Sequence, residues 1–187
     1  NEGLSPIDIT PKSNKRIWWK CPEGPDHEWQ IAPADMKAHC PFCSGRRISI
    51  TNSLATLNPD LTKEWHPTKN EDLTPSDVTL SSNKKVWWKC PEGPDHEWEA
   101  VVSSRLNGKG CGFCAGLRVS ITNSLASINP ELAAQWHPTK NGDLTPDQVV
   151  AGTHRKIWWK CPEGPDHEWQ VKVNDVRGGG FCAGLRV

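Results

Sequence analysis

Tyrosine is missing altogether, methionine occurs once, phenylalanine three times, and apolar residues make up only 35% of the 187-residue chain. With so little aliphatic and aromatic bulk, one large core is excluded as the organising feature. The chain also lacks any apolar run near the roughly 18 to 20 residues that a membrane span requires, and no stretch reads as a signal peptide. A soluble cytoplasmic protein is expected on those grounds. Net charge is absent too: 22 Lys and Arg balance 22 Asp and Glu. The whole chain therefore exerts no general pull on nucleic acid or an anionic membrane, and any such affinity must come from local clustering.

What is abundant is tryptophan, with 11 copies, beside eight cysteines and seven histidines. Small cores built around indoles need staples, and Cys and His supply them either as disulfides or as metal ligands. A repeat decides how they are arranged. The string Trp-Trp-Lys-Cys-Pro-Glu-Gly-Pro-Asp-His-Glu-Trp occurs at residues 18–29, 87–98 and 158–169, a period of about 70 residues. Flanking segments recur as well: 1–14 reads like 70–83, with a looser copy at 141–154. The period divides the chain into module 1 at 1–50, N-terminally incomplete, module 2 at 51–119, and module 3 at 120–187, C-terminally incomplete. A segment of a longer protein is expected.

Within one period, Asn58 followed by Pro59, with Leu61 and Trp65 four residues apart, predicts a short helix between Ser53 and Trp65. Thr74-Pro75 predicts a turn. Lys85–Lys89 and Glu97–Val102 are β-prone and flank the Pro- and Gly-rich stretch 90–95, which predicts a hairpin. An isolated hairpin is marginal in water, so something must clamp it.

The clamp is legible in the spacing. Cys21, His27, Cys40 and Cys43 in the first module, and Cys90, His96, Cys111 and Cys114 in the second, offer four ligands from two short loops. That set suits tetrahedral Zn²⁺ and leaves no open position for substrate. Disulfides would leave the recurrent His unexplained, and iron-sulfur clusters favour four thiolates. The third module keeps Cys161, His167 and Cys182 but has Gly179 where Cys111 stands, so its set is one ligand short: the site is degenerate or the sequence has lost a residue or two. His66 and His137 read as packed or capping residues, and His39 and His154 as surface residues. The fold class expected is thus a tandem array of small α+β zinc-stabilised modules, each a hairpin plus a short helix around one Zn²⁺.

Taken together, Glu-Trp-His-Pro-Thr-Lys-Asn, Leu-Thr-Pro, Lys-Val-Trp-Trp-Lys-Cys, His-Glu-Trp and Gly-Cys-Gly-Phe-Cys-Ala-Gly resemble the treble-clef zinc-finger repeats of bacteria and plants, known as a zinc-ribbon domain of unknown function. The likeness covers essentially the whole chain. It implies a treble-clef-like zinc site and association with restriction-type nuclease domains, in the same or a neighbouring polypeptide, and hence DNA binding. One departure stands out: the family's Cys-to-His loop is shorter, and Pro25-Asp26 is inserted here.

Basic residues cluster ahead of the paired Trp (Lys15, Arg16 and Lys20; Lys84, Lys85 and Lys89; Arg155, Lys156 and Lys160) and after the Cys-x-x-Cys (Arg46, Arg47 and Arg118). Repetition could lay them along one side as a phosphate-binding stripe. The competing reading is a solvated strand edge in a protein-interaction or spacer module. Neighbouring Trp residues in a strand face opposite sides, so one enters the core and the other is left for a base, a neighbouring unit or a partner. An enzyme is not expected, since no phosphate loop, nucleophile elbow or recurrent carboxylate pair with a base occurs.

Overall fold

The computed structural model describes residues 1, 3–36, 39–106 and 110–176. Three antiparallel two-stranded hairpins recur: β1 (Ile17–Lys20) with β2 (Glu28–Ile31), β3 (Lys85–Lys89) with β4 (Glu97–Val101), and β5 (Lys156–Lys160) with β6 (Glu168–Lys172). In the first, Trp19 pairs with Trp29, and in the third Trp159 pairs with Trp169, so both of these hairpins put two indoles directly across from one another. Such aromatic cross-strand pairs stabilise a ladder otherwise too short to stand alone.

Ahead of the second and third hairpins lies a pair of one-turn helices, α1 (Leu54–Leu57) with α2 (Pro59–Thr62), and α4 (Leu125–Ile128) with α5 (Pro130–Ala133); α3 (Val102–Leu106) follows β4. The short helix expected to open at Pro59 behind an Asn58 cap is α2, and a further one-turn helix, α1, precedes it. The break falls at Asn58, whose φ of −146° and ψ of 72° are non-helical, because the ring of Pro59 disfavours helical backbone in the residue before it. Asn58 serves as the cap expected of it, its Oδ1 accepting from Leu61 N at 3.1 Å, and Ser53 caps α1 in the same way through Thr56 N at 3.3 Å. The turn at Thr74-Pro75 is a 3-10 turn closed by Asp77, which accepts from Thr74 N at 2.9 Å.

Burial follows strand alternation. Trp88 and Trp159 are at 0% exposure while their neighbours Trp87 and Trp158 are half-buried. Lys69 lies 4.4 Å above the Trp87 ring and Lys140 lies 4.6 Å above Trp158. The outer indole of each later hairpin therefore already carries a cation on its face. An Asn side chain clasps the backbone of the same residue: Asn70 accepts from Trp87 N at 2.7 Å and donates to Trp87 O at 2.9 Å, and Asn141 does likewise at Trp158.

The chain forms two compact units, one of Asn1–Lys89 with Trp98–Asn107 and one of Cys90–Glu97 with Gly108–Val187. In the first unit, Arg105 is buried against the Trp88 and Trp98 rings at 5.2 and 5.0 Å and forms an ion pair with Glu64. The period puts Gln135 and Val176 at these two positions in module 3. Both charges are replaced together there, as expected where removing one partner alone would strand the other. In the second unit the core gathers Leu125, Val149, Ile157, Trp159, Trp169 and Val173.

Candidate metal centre

The hairpin and the Cys-x-x-Cys turn bring four donors to one point in each unit. Cys21 leaves the end of β1 and His27 enters β2, with Cys21 N donating to His27 O at 3.0 Å across the loop mouth. Gly24 sits under the His27 ring: a Cβ there would lie 2.6 Å from it, and at Gly93 a Cβ would lie 2.5 Å from the His96 ring. Only glycine lets the loop backbone approach an imidazole this closely. On the other side, Cys40 and Cys43 sit on a turn in which Ser44 N donates to Cys40 O at 3.0 Å and Gly45 adopts a φ of 71°; Gly116 repeats it at 68°. Left-handed backbone of this kind is a glycine conformation.

The donor atoms have the spacing of a metal shell. Cys21 Sγ lies 3.6 Å from Cys43 Sγ, and His27 Nδ1 lies 3.7 Å from Cys40 Sγ and 3.5 Å from Cys43 Sγ. The second site repeats this with Cys90 and Cys114 sulfurs 3.6 Å apart and His96 Nδ1 at 3.6 and 3.5 Å from Cys111 and Cys114. A tetrahedron with metal-sulfur bonds of about 2.3 Å has edges of roughly 3.8 Å, slightly shorter where nitrogen replaces sulfur. A disulfide needs sulfurs at about 2.05 Å, so these are thiols. The residues present fit zinc, each site holding it through three thiolates and one imidazole Nδ1.

Thiol acidity points the same way. Loss of hydration, then the hydrogen bonds and charge of Cys21 and Cys40, push the Cys43 thiol up to about 12, and the equivalent crowding does the same to Cys114. Burial also raises Cys90. Cys40 moves down despite its burial, because the N–H groups of Cys43 and Phe42 favour its thiolate. Three sulfurs this close shed all their protons only beside a cation.

A layer outside the ligands was not visible as such in the spacing. His27 Nε2 faces Ser49 Oγ at 3.1 Å and Thr51 Oγ1 at 2.8 Å, and His96 Nε2 faces Ser120 and Thr122 at the same distances. With Nδ1 aimed at the sulfurs, Nε2 carries the proton and donates to these hydroxyls, which fixes tautomer and ring plane. Phe42 and Phe113 stack on the two imidazoles with centroids 5.1 and 5.0 Å apart. The inserted aspartate has a task too: Asp26 Oδ2 accepts from Ile50 N, and Asp95 Oδ2 from Ile121 N, each at 2.8 Å. It ties the ligand loop to the Ser-Ile-Thr segment. Asn52 completes the tie, donating to Phe42 O at 2.7 Å and Arg47 O at 2.9 Å. The signal available in the sequence was the recurrence of Ser-Ile-Thr-Asn beginning six residues after each Cys-x-x-Cys, at Ser49 and Ser120.

In the third module Cys161 is buried and His167 has 29% of its side chain exposed, against 2% for His27. Gly164 underlies His167 as in the other loops, with a Cβ position 2.8 Å from the ring. Cys182 and Gly179 lie outside the described residues. Among the described residues His66 and His137 belong to no metal-ligand cluster: Nδ1 of His66 accepts from Thr68 N at 3.2 Å and Lys69 N at 3.1 Å, and Nδ1 of His137 from Thr139 N and Lys140 N. They close the turn after the helix pair. His39 and His154 are exposed.

The basic residues separate into classes. Lys20 pairs with Glu28 at 2.9 Å, Lys85 with Glu99 at 2.6 Å, and Lys160 approaches Glu168 at 3.5 Å. These strand lysines spend charge on cross-strand carboxylates, so a uniform basic stripe is not what the hairpins present. Lys89 is half-buried at the end of β3. Arg118 lies over the Phe113 ring at 5.8 Å. Lys15, Lys84, Arg155 and Lys156 are exposed. Arg16, Arg46 and Arg47 converge on one cleft of about 330 Å³.

No curated protein matches the chain. A family model described as "Probable Treble clef zinc finger domain" matches three times, over residues 1–46, 61–117 and 132–184. Each match takes in a hairpin with its Cys and His, and the first two also take in a Cys-x-x-Cys whose geometry has just been given. The chain belongs to this treble-clef zinc-finger family, as tandem repeats that bind zinc.

Proposed function

We propose that this chain is a tandem zinc-module array that binds nucleic acid, as the recognition part of a larger assembly, through its phosphates. The observation that carries the reading is the cleft between the first hairpin and the first zinc turn, walled by Arg16, Arg46 and Arg47 with His39, and bounded by Trp29 and Asp35. Arg16 donates to Gln30 O at 2.9 Å and Arg46 to Ser44 Oγ at 3.1 Å, which holds both guanidiniums in place while leaving donors for a phosphate. Planar, pre-positioned guanidiniums are the side chains best matched to phosphate oxygens. DNA is the favoured form, and the treble-clef repeats supply rigidity, not chemistry. Four protein donors fill the zinc shell in each of the first two modules, so no position remains there for a substrate, and any strand cleavage is assigned to a separate nuclease domain. Thiolate ligands persist in a reducing compartment, which supports a cytoplasmic location.

The test is titration of a labelled DNA duplex at rising salt. Log K is expected to fall by roughly 0.9 per phosphate neutralised, and Arg46→Glu with Arg47→Glu is expected to remove most of the affinity with zinc content unchanged. A protein that ignores duplex DNA at low salt sinks the reading. The second reading, a protein-interaction module, draws on apolar side chains left outside: Ile50 and Ile121, at matching places, are 59% and 61% exposed, and Leu117 is 82% exposed. Capture of a protein partner that Ile50→Ser with Ile121→Ser abolishes would favour it.

A further inference from the structure

The repeats differ in how far their hairpins are covered. Trp88 and Trp159 are at 0% exposure, whereas their counterpart Trp19 is half-buried and its neighbour Trp18 is 55% exposed. Ile9 and Ile17 are likewise half-buried, where the matching Val78, Val86, Val149 and Ile157 stand between 1% and 4%.

In the second repeat the cover is the helix-pair segment. Leu54 N donates to Val78 O at 2.8 Å, His66 N to Trp87 O at 3.1 Å, and Lys89 N to Glu64 O at 2.7 Å. Trp65 sets its edge against Trp88 with centroids 5.5 Å apart and donates its indole N–H to Leu73 O at 3.2 Å. The third repeat does the same with Leu125, His137, Gln135 and Trp136, the last at 5.7 Å from Trp159. In the first repeat the same surface is a cleft of about 420 Å³ walled by Leu4, Ile9, Ile17, Trp18, Trp19 and Met36. Every backbone group the segment uses has its counterpart there: the carbonyls of Leu4, Ile9 and Trp18, and the N–H of Lys20.

We infer that this cleft is the docking site for a polypeptide segment of the repeat's own helix-pair type, with the pattern Ser-Leu-Ala-x-Leu/Ile-Asn-Pro-x-Leu-x-x-x-Trp-His-Pro-Thr-Lys. The internal copies fix its pose. Its Leu enters beside Ile9, its Trp stands on Trp19 and reaches the Leu4 carbonyl, and its Lys lies over Trp18. The match in both apolar shape and hydrogen-bond order selects this occupant over a generic apolar ligand, which would leave the carbonyls of Leu4 and Ile9 to water. It also selects against Trp18 as a base-stacking platform, since the outer indole of both later hairpins carries a lysine instead.

The experiment joins a second copy of residues 51–69 directly ahead of Asn1 in the zinc-loaded full chain, a linkage that raises the local concentration of the segment. Amide exchange is then followed residue by residue. Exchange at Lys20 N–H is expected to slow by about tenfold or more, as the equivalent of Lys89 N–H acquires the Glu64 carbonyl. The same fusion carrying Ala in place of the Trp65 copy is expected to lose that protection. A separate peptide of residues 51–69 added to the unmodified chain is expected to give the same pattern at saturating concentration. Unchanged exchange at Lys20 in both formats overturns the proposal, as does protection of Trp18 by a single-stranded oligonucleotide but not by the segment. The readout does not involve DNA affinity, so its failure is distinguishable from failure of the functional reading.

Discussion

Thr51 Oγ1 stands 2.8 Å from His27 Nε2, and Thr122 Oγ1 the same distance from His96 Nε2. The hydroxyl and its Ser partner orient the ring whose other nitrogen faces the sulfurs. Ser49→Ala with Thr51→Val is expected to weaken zinc at the first site by roughly 10- to 100-fold and to leave the second site unaltered. Competition with a chromophoric chelator measures both sites in one titration, and equal affinities in variant and parent would refute the orienting role.

Metal removal should dismantle the ligand loops. A structural zinc contributes about 10 to 16 kcal/mol at neutral pH, more than the few kcal/mol a core of this size supplies. Chelation is expected to collapse the dispersed amide signals of 21–27 and 40–45 together with 90–96 and 111–116, and zinc to restore them. Elemental analysis is expected to find zinc at both four-donor clusters. A metal-free, reduced chain that keeps those signals would remove the basis of the fold assignment.

Gly93→Ala places a methyl where the His96 ring already stands, with ring atoms 2.5 Å from the new Cβ. Backbone and imidazole must separate, at a cost of about 1 to 3 kcal/mol. Denaturation of the zinc-loaded protein is expected to show that loss, with the second site releasing its metal before the first. Wild-type stability in this variant would mean the loop has slack that the structure does not show.

Glu168 links the third hairpin to the helix pair: Lys140 donates to it and His137 Nε2 lies 3.0 Å from Oε1. The hydrogen bond from Lys140, then that of His137, pulls its carboxyl from 4.5 down to about 2. A depressed folded-state value stabilises the fold above the unfolded value and ceases to do so as pH falls through the folded one. The contribution of Glu168 is therefore full above about 4.5 and lost on descent to about 2. Glu168→Gln is expected to speed amide exchange at His137 and Lys160 at neutral pH. The gap between variant and parent should narrow below pH 4.5; a gap independent of pH would assign the effect to packing.

The ligand sets were legible because zinc chemistry demands particular atoms at short loop spacings, and Cys21, His27, Cys40 and Cys43 declare themselves without knowledge of the chain path. The hairpins were legible from β-prone Trp-rich strands around a Pro-Gly loop, and Asn58 from its place before Pro59. The helix opening at Pro59 was legible too, whereas the turn of helix ahead of it, Leu54–Leu57 behind the Ser53 cap, was not, because four residues are too few to show an apolar period. The strand lysines looked like a stripe because composition does not show that Glu28 lies opposite Lys20, or Glu99 near Lys85.

Sequence alone determined the repeat, the metal and the donors, since these depend on residue type and short-range spacing. Tertiary structure decided which imidazole nitrogen faces the sulfurs, which hydroxyls hold its partner, why glycine must lie beneath the ring, and which indoles are covered. Those outcomes depend on distances between segments tens of residues apart, as with His27 and Thr51 or Trp65 and Trp88, and no local pattern encodes such a distance until the chain has folded around its zinc.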